Sequence, residues 1–254
     1  MIPWQSVILF LAAGAAGVVN SLAGGGTLLS YPALIWAGRD PIIANATSTV
    51  ALWPGSFAGT LGYRGDIGGK RRWIILLGIP SVIGGAVGAV LLLRTPSPTF
   101  AALVPWLIFG ATVLRAAQEP ISRWLPHAPG SQPSRAWWTG AIAFQFLVAV
   151  YGGYFGAGIG ILMLAALGLL GLTDIHQMNG LKTLFAVCIN GVASAYFIWS
   201  GKVNWPDALL MAAGAIAGGY GGAHLARKLG RRFVNRTVIV IGLAMTVLLL
   251  LKRR

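Results

Sequence analysis

The feature that most restricts this chain is its succession of apolar runs, since only a lipid bilayer can hide so many of them. Near-continuous apolar sequence covers about residues 42–63, 73–93, 99–117, 176–199, 205–226 and 236–251. A helix crossing the hydrocarbon core needs roughly 20 apolar residues, so each of these six runs is one span. Two further stretches, 4–37 and 136–171, are too long for a single straight span. Charged residues make up 9% of the 254 positions, where a soluble domain carries about 25%. Most of the chain therefore never meets water, and the expected fold class is an all-α polytopic membrane protein.

Both over-long stretches are interrupted by glycine, at Ala23-Gly24-Gly25-Gly26 and at Gly156-Ala157-Gly158-Ile159-Gly160. Each is followed by three ordinary spans, and an offset of 134 residues superposes the two series. Trp4 falls on Trp138, Gly24 on Gly158, Gly26 on Gly160, Asp40 on Asp174, Asn45 on Asn179 and Thr49 on Thr183. Gly84-Gly85 falls on Gly218-Gly219, Gly88 on Gly222 and Arg94 on Lys228. In a chain with 36 glycines the glycine matches alone would say little; the Trp, Asp, Asn and Thr matches point to duplication. The expected organisation is a first transmembrane repeat (1–118), a proline-rich cytoplasmic linker (119–135) and a second repeat (136–254). Each repeat is a glycine-broken helical hairpin plus three transmembrane helices.

Loop charges orient the copies. Loop 64–72 carries Arg64, Lys70, Arg71 and Arg72 against Asp66, while its counterpart near 200–204 carries only Lys202. Loop 94–98 carries only Arg94, while its counterpart at 227–236 carries Arg227, Lys228, Arg231, Arg232 and Arg236. Basic loops stay cytoplasmic, so the bias reverses between corresponding loops, as it does in inverted repeats. The consistent topology puts loops 64–72, 115–135 and 227–236 in the cytoplasm and both termini outside. Lys252, Arg253 and Arg254 resist that placement.

Composition also excludes function classes. A net charge of +14 in a soluble domain would suggest nucleic acid; here the basic residues sit between spans and act as topology signals. The lone Cys188 makes no intramolecular disulfide and suggests no cysteine metal site. The start, Met1 to Asn20, lacks a basic leader and a clear cleavage site, so it is expected to be mature sequence. The acids Asp40, Asp66, Glu119, Asp174 and Asp207 fall in loops or at span ends, and His127, His176 and His224 form no cluster with them. No catalytic group, metal site or cofactor is expected. A basic surround and a core without carboxylates favour an anion over a cation.

The glycine breaks are the first candidate site. In lipid, broken backbone survives only where protein or a water-filled cavity satisfies it. Helices restarting after Gly24, Gly25 and Gly26, near Thr27, and after Gly158 and Gly160, near Ile161, would aim free N–H groups and positive dipole ends inward. Two such ends meeting near the midplane suit an anion; close packing through small residues is the competing account. The second candidate pairs Asn45 and Thr49 with Asn179, Lys182 and Thr183. Helix capping is the alternative there, and it accounts well for Asp40 and Asp174. Lys182 either faces the site or snorkels to the surface. Asn20, Ser56, Gln145 and Asn190 are further intramembrane polar groups, with Ser56 falling on Asn190. Each is open to a ligand role or to interhelical hydrogen bonding.

The run Asn20-Ser21-Leu22-Ala23-Gly24-Gly25-Gly26-Thr27-Leu28-Leu29-Ser30-Tyr31-Pro32, with Ala44-Asn45-Ala46-Thr47-Ser48 and Gly156-Ala157-Gly158-Ile159-Gly160, resembles the TauE/SafE family of sulfite-exporter-like permeases over about residues 10 to 250. The resemblance implies a multi-pass carrier of the bacterial inner membrane that moves sulfite, sulfonates or related sulfur-containing anions. Leu181-Lys182 stands where the first half has Thr47-Ser48, so selectivity is expected there. The expected function is secondary transport by alternating access around a midplane site between the repeats. An anion channel or a permease for a non-sulfur organic anion is the alternative. The expected partners are a small anion, the bilayer and, as an option the sequence leaves open, a second copy of the chain.

Overall fold

The computed structural model describes residues 3–22, 25–62, 65, 67–117, 135–170, 172, 174–229 and 231–251. Gly24, Arg64, Asp66, residues 118–134 of the linker region and Lys252-Arg253-Arg254 lie outside the described residues, as do the side chains of 221–235. The described residues form ten α-helices and no strand. They are α1 (Pro3–Leu22), α2 (Thr27–Trp36), α3 (Pro41–Gly62), α4 (Arg71–Arg94), α5 (Ser97–Ala116), α6 (Arg135–Tyr154), α7 (Ile159–Leu169), α8 (Ile175–Trp199), α9 (Trp205–Leu229) and α10 (Arg231–Leu251).

Each ordinary apolar run has become one helix, and each over-long run has become a long helix followed by a short one. Three helices, Arg71–Arg94, Ser97–Leu114 and His176–Trp199, are long and apolar enough on their own to cross a membrane. The outer surface carries large apolar side chains in number: Leu147, Val240, Leu209 and Trp106 are each at least 60% exposed. In water such a surface would aggregate; against lipid it costs nothing. The fold is an all-α polytopic membrane protein.

The helices pack in pairs that exchange under the 134-residue offset. The most extensive contacts join α1 to α9 and α4 to α6; α3 with α9 and α4 with α8 form a second exchanging set. In two further pairs, α3 with α8 and α5 with α10, a helix meets its own counterpart. Trp53 Nε1 donates to the carbonyl of Val187 at 3.0 Å, and these residues are 134 positions apart.

Small residues let the backbones approach. A Cβ on Gly218 would strike the carbonyl oxygen of Gly14, and one on Gly153 that of Gly85. Lipid offers helices little hydrophobic reason to associate, so close packing of this kind supplies much of the adhesion. The same contacts give direction. Gly14 meets Gly218 and Gly17 meets Gly219, so α1 and α9 run the same way. Gly84 meets Phe146 and Gly88 meets Tyr154, so α4 and α6 do too. Thr47 Oγ1, near the start of α3, accepts from Asn204 N just before α9. Asn45 Nδ2, also near the start of α3, donates to the carbonyl of Tyr154 at the end of α6. Hence α1, α3 and α9 run against α4 and α6.

The first hairpin closes on itself, with Trp4 edge-on to Trp36 at 4.7 Å. In the second, Trp138 meets Trp73 at 4.8 Å instead, and Leu170 and Leu172 join the same buried cluster. One buried core surrounds α2, with Tyr31, Phe100 and Phe155 at its centre. The other surrounds α7, with Met163, Leu167 and Phe185.

Candidate functional site

The two breaks are built differently. In the first, Gly25 turns the chain with φ +95°, a left-handed conformation that glycine adopts without penalty. Gly26 N–H then donates to Asn20 Oδ1 at 2.8 Å, so a side chain from α1 caps the start of α2. Ser30 Oγ lies 2.6 Å from Ser48 Oγ and ties α2 to α3. In the second, Gly156 (φ +80°) and Gly158 (φ +79°) are both left-handed, and Tyr151 Oη donates to the carbonyl of Ala157 at 2.8 Å. Two left-handed residues finish the turn early. Gly158 is the N-cap, α7 begins at Ile159, and Gly160 lies in its first turn instead of ahead of the helix.

Replacing Gly26 with alanine would put the Cβ 2.6 Å from Ala16 O and 2.9 Å from Asn20 Oδ1. Gly26→Ala is expected to displace the Asn20 cap and destabilise the protein by about 1–3 kcal/mol, the usual range for forced overpacking. Thermal unfolding of the purified protein, read beside Asn20→Ala, measures it; an unchanged midpoint would contradict this geometry.

Both breaks border one cavity of about 390 Å³. Of the residues expected at a site, Asn20, Gly25, Thr27, Thr49, Ser56, Gly160, Lys182, Thr183 and Asn190 line it. Thr49 with Thr183, and Ser56 with Asn190, do so as counterparts. Four expected residues stand behind the wall. Gly26 is held by Asn20, and Gly158 caps α7. Asn45 is buried and bonded through Nδ2 to Tyr154 O (3.0 Å), while its Oδ1 is buried without a hydrogen-bond partner. Asn179 Oδ1 accepts from Lys182 Nζ at 3.2 Å. Gly24 lies outside the described residues.

Lys182 is 3% exposed, so it does not snorkel: its side chain stays in the protein, along the cavity. Asp40 and Asp174 cap α3 and α8, accepting from Ile42 N (2.9 Å) and His176 N (2.8 Å). Gln145 Nε2 bonds Ser81 Oγ at 2.8 Å, an interhelical role. No carboxylate appears in the cavity lining, and the described residues contain no His/Cys/Asp/Glu group suited to a metal. The hydroxyls of Thr49, Thr183 and Ser56 donate to their own helices, to Asn45 O, Asn179 O and Leu52 O. They therefore turn lone pairs to the cavity, and donating to an anion means giving up a backbone bond worth about 1 kcal/mol each. Lys182 supplies the positive charge.

Gly17, Gly55, Ala58, Ala215, Ile216, Gly219 and Tyr220 also line the cavity. None carries charge, so only the glycine run of α9, which marked register, hinted at them. Ala58 and Tyr220 of the lining are exposed and lie toward the C-terminal ends of α3 and α9.

The family model for "Sulfite exporter TauE/SafE" matches residues 9–249. The chain belongs to this family. Among curated relatives of this TauE/SafE protein, a probable membrane transporter protein, ORF9, of Sinorhizobium sp is 26% identical over 250 residues, 95% of this chain and 91% of the relative. One from Haemophilus influenzae is 25% identical over 246 residues, covering 94% and 92%. YunE of Bacillus subtilis, also a probable membrane transporter protein, is 28% identical over 259 residues, covering 92% of each chain. No solved structure matches. Family and relatives alike are membrane transporters, and this chain is a membrane protein of that kind.

Proposed function

We propose that this TauE/SafE protein is a secondary transporter, working as an exporter, for a small sulfur-containing oxyanion such as a sulfonate or sulfite. The observation that carries the proposal is the cavity itself. It lies at both chain breaks, holds the buried Lys182 and the Thr49/Thr183 pair, and has no carboxylate in its lining. Oxyanions need donors and positive charge from a site that excludes competing negative charge. The family description names sulfite export, which supports the sulfur oxyanion class.

The mechanism we infer is alternating access between two inverted repeats in the bacterial inner membrane. Exchanging helix pairs, the Trp53–Val187 contact and the opposed directions of α1 and α6 support inversion. With the basic loops in the cytoplasm, the exposed lining residues Ala58 and Tyr220 lie toward the inner side. On that topology both chain ends lie outside, so a C-terminal tag on intact cells is expected to be open to an external protease. Accessibility from the cytoplasm alone would overturn the orientation.

Binding tests the site. Purified protein is titrated with sulfite, a short alkanesulfonate, thiosulfate and acetate. The sulfur oxyanions are expected to bind and acetate to bind at least about tenfold more weakly, roughly 1.4 kcal/mol. Thr49→Ala with Thr183→Ala is expected to weaken binding about tenfold through two lost hydrogen bonds. Affinity that ignores both substitutions would remove the substrate from this cavity. Voltage-driven efflux of the bound anion from proteoliposomes then tests transport.

A further inference from the structure

We propose that the groove between α4 and α8 binds one anionic phospholipid of the cytoplasmic leaflet, its acyl chain in the groove and its headgroup against Arg71 and Arg72. The groove has a volume of about 480 Å³, and its α4 wall runs from Ile74 to Ile83. Phe185 and Cys188 of α8 form part of the facing wall. The lining is wholly apolar, yet Ile75, Ile79 and Ile83 are each about half exposed. Gly78 leaves a notch: a Cβ there would meet nothing within 4 Å.

Length and charge identify the occupant. Nine helical rises from Ile74 to Ile83 make about 14 Å, close to the ~15 Å hydrocarbon depth of one leaflet. The groove stops near mid-membrane, as an acyl chain does. A helix from a second copy would need a seam along the full span. At the surface end, α4 opens with the exposed Arg71 and Arg72, and the exposed His176 opens α8. The guanidinium of Arg72 sits over the Trp138 ring at 5.5 Å, which holds it at the interface. Asp174 precedes His176, and its carboxylate is engaged in capping α8; Asp66, before α4, lies outside the described residues. Basic residues at an anionic leaflet contribute about fivefold in binding each. The chain would press on the back of α8, whose other face carries Lys182, Thr183 and Asn190 into the cavity.

The test is native mass spectrometry of full-length protein in detergent, equilibrated with equal phosphatidylglycerol and phosphatidylcholine of matched chains. Wild type is expected to retain one phosphatidylglycerol at least about fivefold over phosphatidylcholine. Arg71→Gln with Arg72→Gln is expected to lose that preference while still folding, as checked by thermal unfolding. Gly78→Phe, whose Cβ meets nothing within 4 Å and whose ring would occupy groove space, is expected to lose both lipids. Equal retention of the two lipids by wild type would overturn the proposal, as would retention unaffected by Gly78→Phe. A dimer that Gly78→Phe converts to monomer would assign the groove to a second copy instead.

Discussion

Lys182→Met is expected to weaken anion binding about a hundredfold and, at the same time, to raise the unfolding temperature of the unliganded protein. The two effects have one cause. The lysine is 3% exposed, and Asn179 Oδ1, 3.2 Å from its Nζ, is among its partners. Taking an ammonium out of water costs several kcal/mol even after relaxation. Methionine fills similar space without that cost. An arriving oxyanion meets that ammonium in the cavity wall. A hydrogen bond to a charged group is worth about 1.5–3 kcal/mol net, and Coulomb attraction at short range adds to it. A loss of about 2.7 kcal/mol is a hundredfold in Kd. Calorimetric titration reads the affinity, and a thermal scan with and without anion reads the stability. If the variant bound as tightly as wild type, Lys182 would be a structural residue. If unliganded stability fell instead, the charge would be satisfied within the protein.

Much of this was legible because lipid turns length into a rule. A run of some 20 apolar residues has one outcome, so the positions of α3, α4, α5, α8, α9 and α10 followed from the sequence. The hairpins followed from runs too long to be one helix. The register between halves placed Thr49 opposite Thr183 and Ser56 opposite Asn190 before any coordinates. Depth was legible in this way, but facing was not. Asn45 is one turn from Thr49, yet it turns to Tyr154 while Thr49 turns to the cavity. Its counterpart Asn179 holds Lys182, for which the first half has only Ser48, bonded to Ser30. Equal sequence positions thus do unequal work once one neighbour differs. The α9 wall was missed because Ala215, Ile216 and Gly219 carry no polar signal. The Trp53–Val187 contact depends on two helices crossing, which no local pattern encodes.

The two ends of the bundle differ as well, and this leads to the second large effect. Asp207 is fully buried, and Arg39, 26% exposed, grips it with two bonds, Nε to Oδ2 and Nη2 to Oδ1. Asn204 Oδ1 accepts from Asp207 N at 3.2 Å, and Asn204 N donates to Thr47 Oγ1 at 3.0 Å. The loop after α2 is thereby fastened to the starts of α3 and α9. Under the 134-residue offset Arg39 and Asp207 fall on Thr173 and Trp73, which cannot form an ion pair; there Trp73 meets Trp138 instead. Arg39→Ala should destabilise the protein by about 3–5 kcal/mol, because it leaves a buried carboxylate uncompensated. Asp207→Asn should cost less, since the freed guanidinium is partly in water. The double variant should be more stable than Arg39→Ala alone, because the unpaired carboxylate, more than the missing attraction, is what costs. Denaturation in mild detergent orders the three. If Arg39→Ala proved no worse than the double variant, Asp207 would have another source of compensation. Access separates fold from gate. With Thr49→Cys as the reporter in a Cys188→Ser background, both the double variant and Arg39→Ala should admit an external thiol reagent faster than the parent. On the orientation proposed above, stability would recover in the double variant while closure would not, because a neutral pair restores the energy of burial but not the two directional bonds between Arg39 and Asp207.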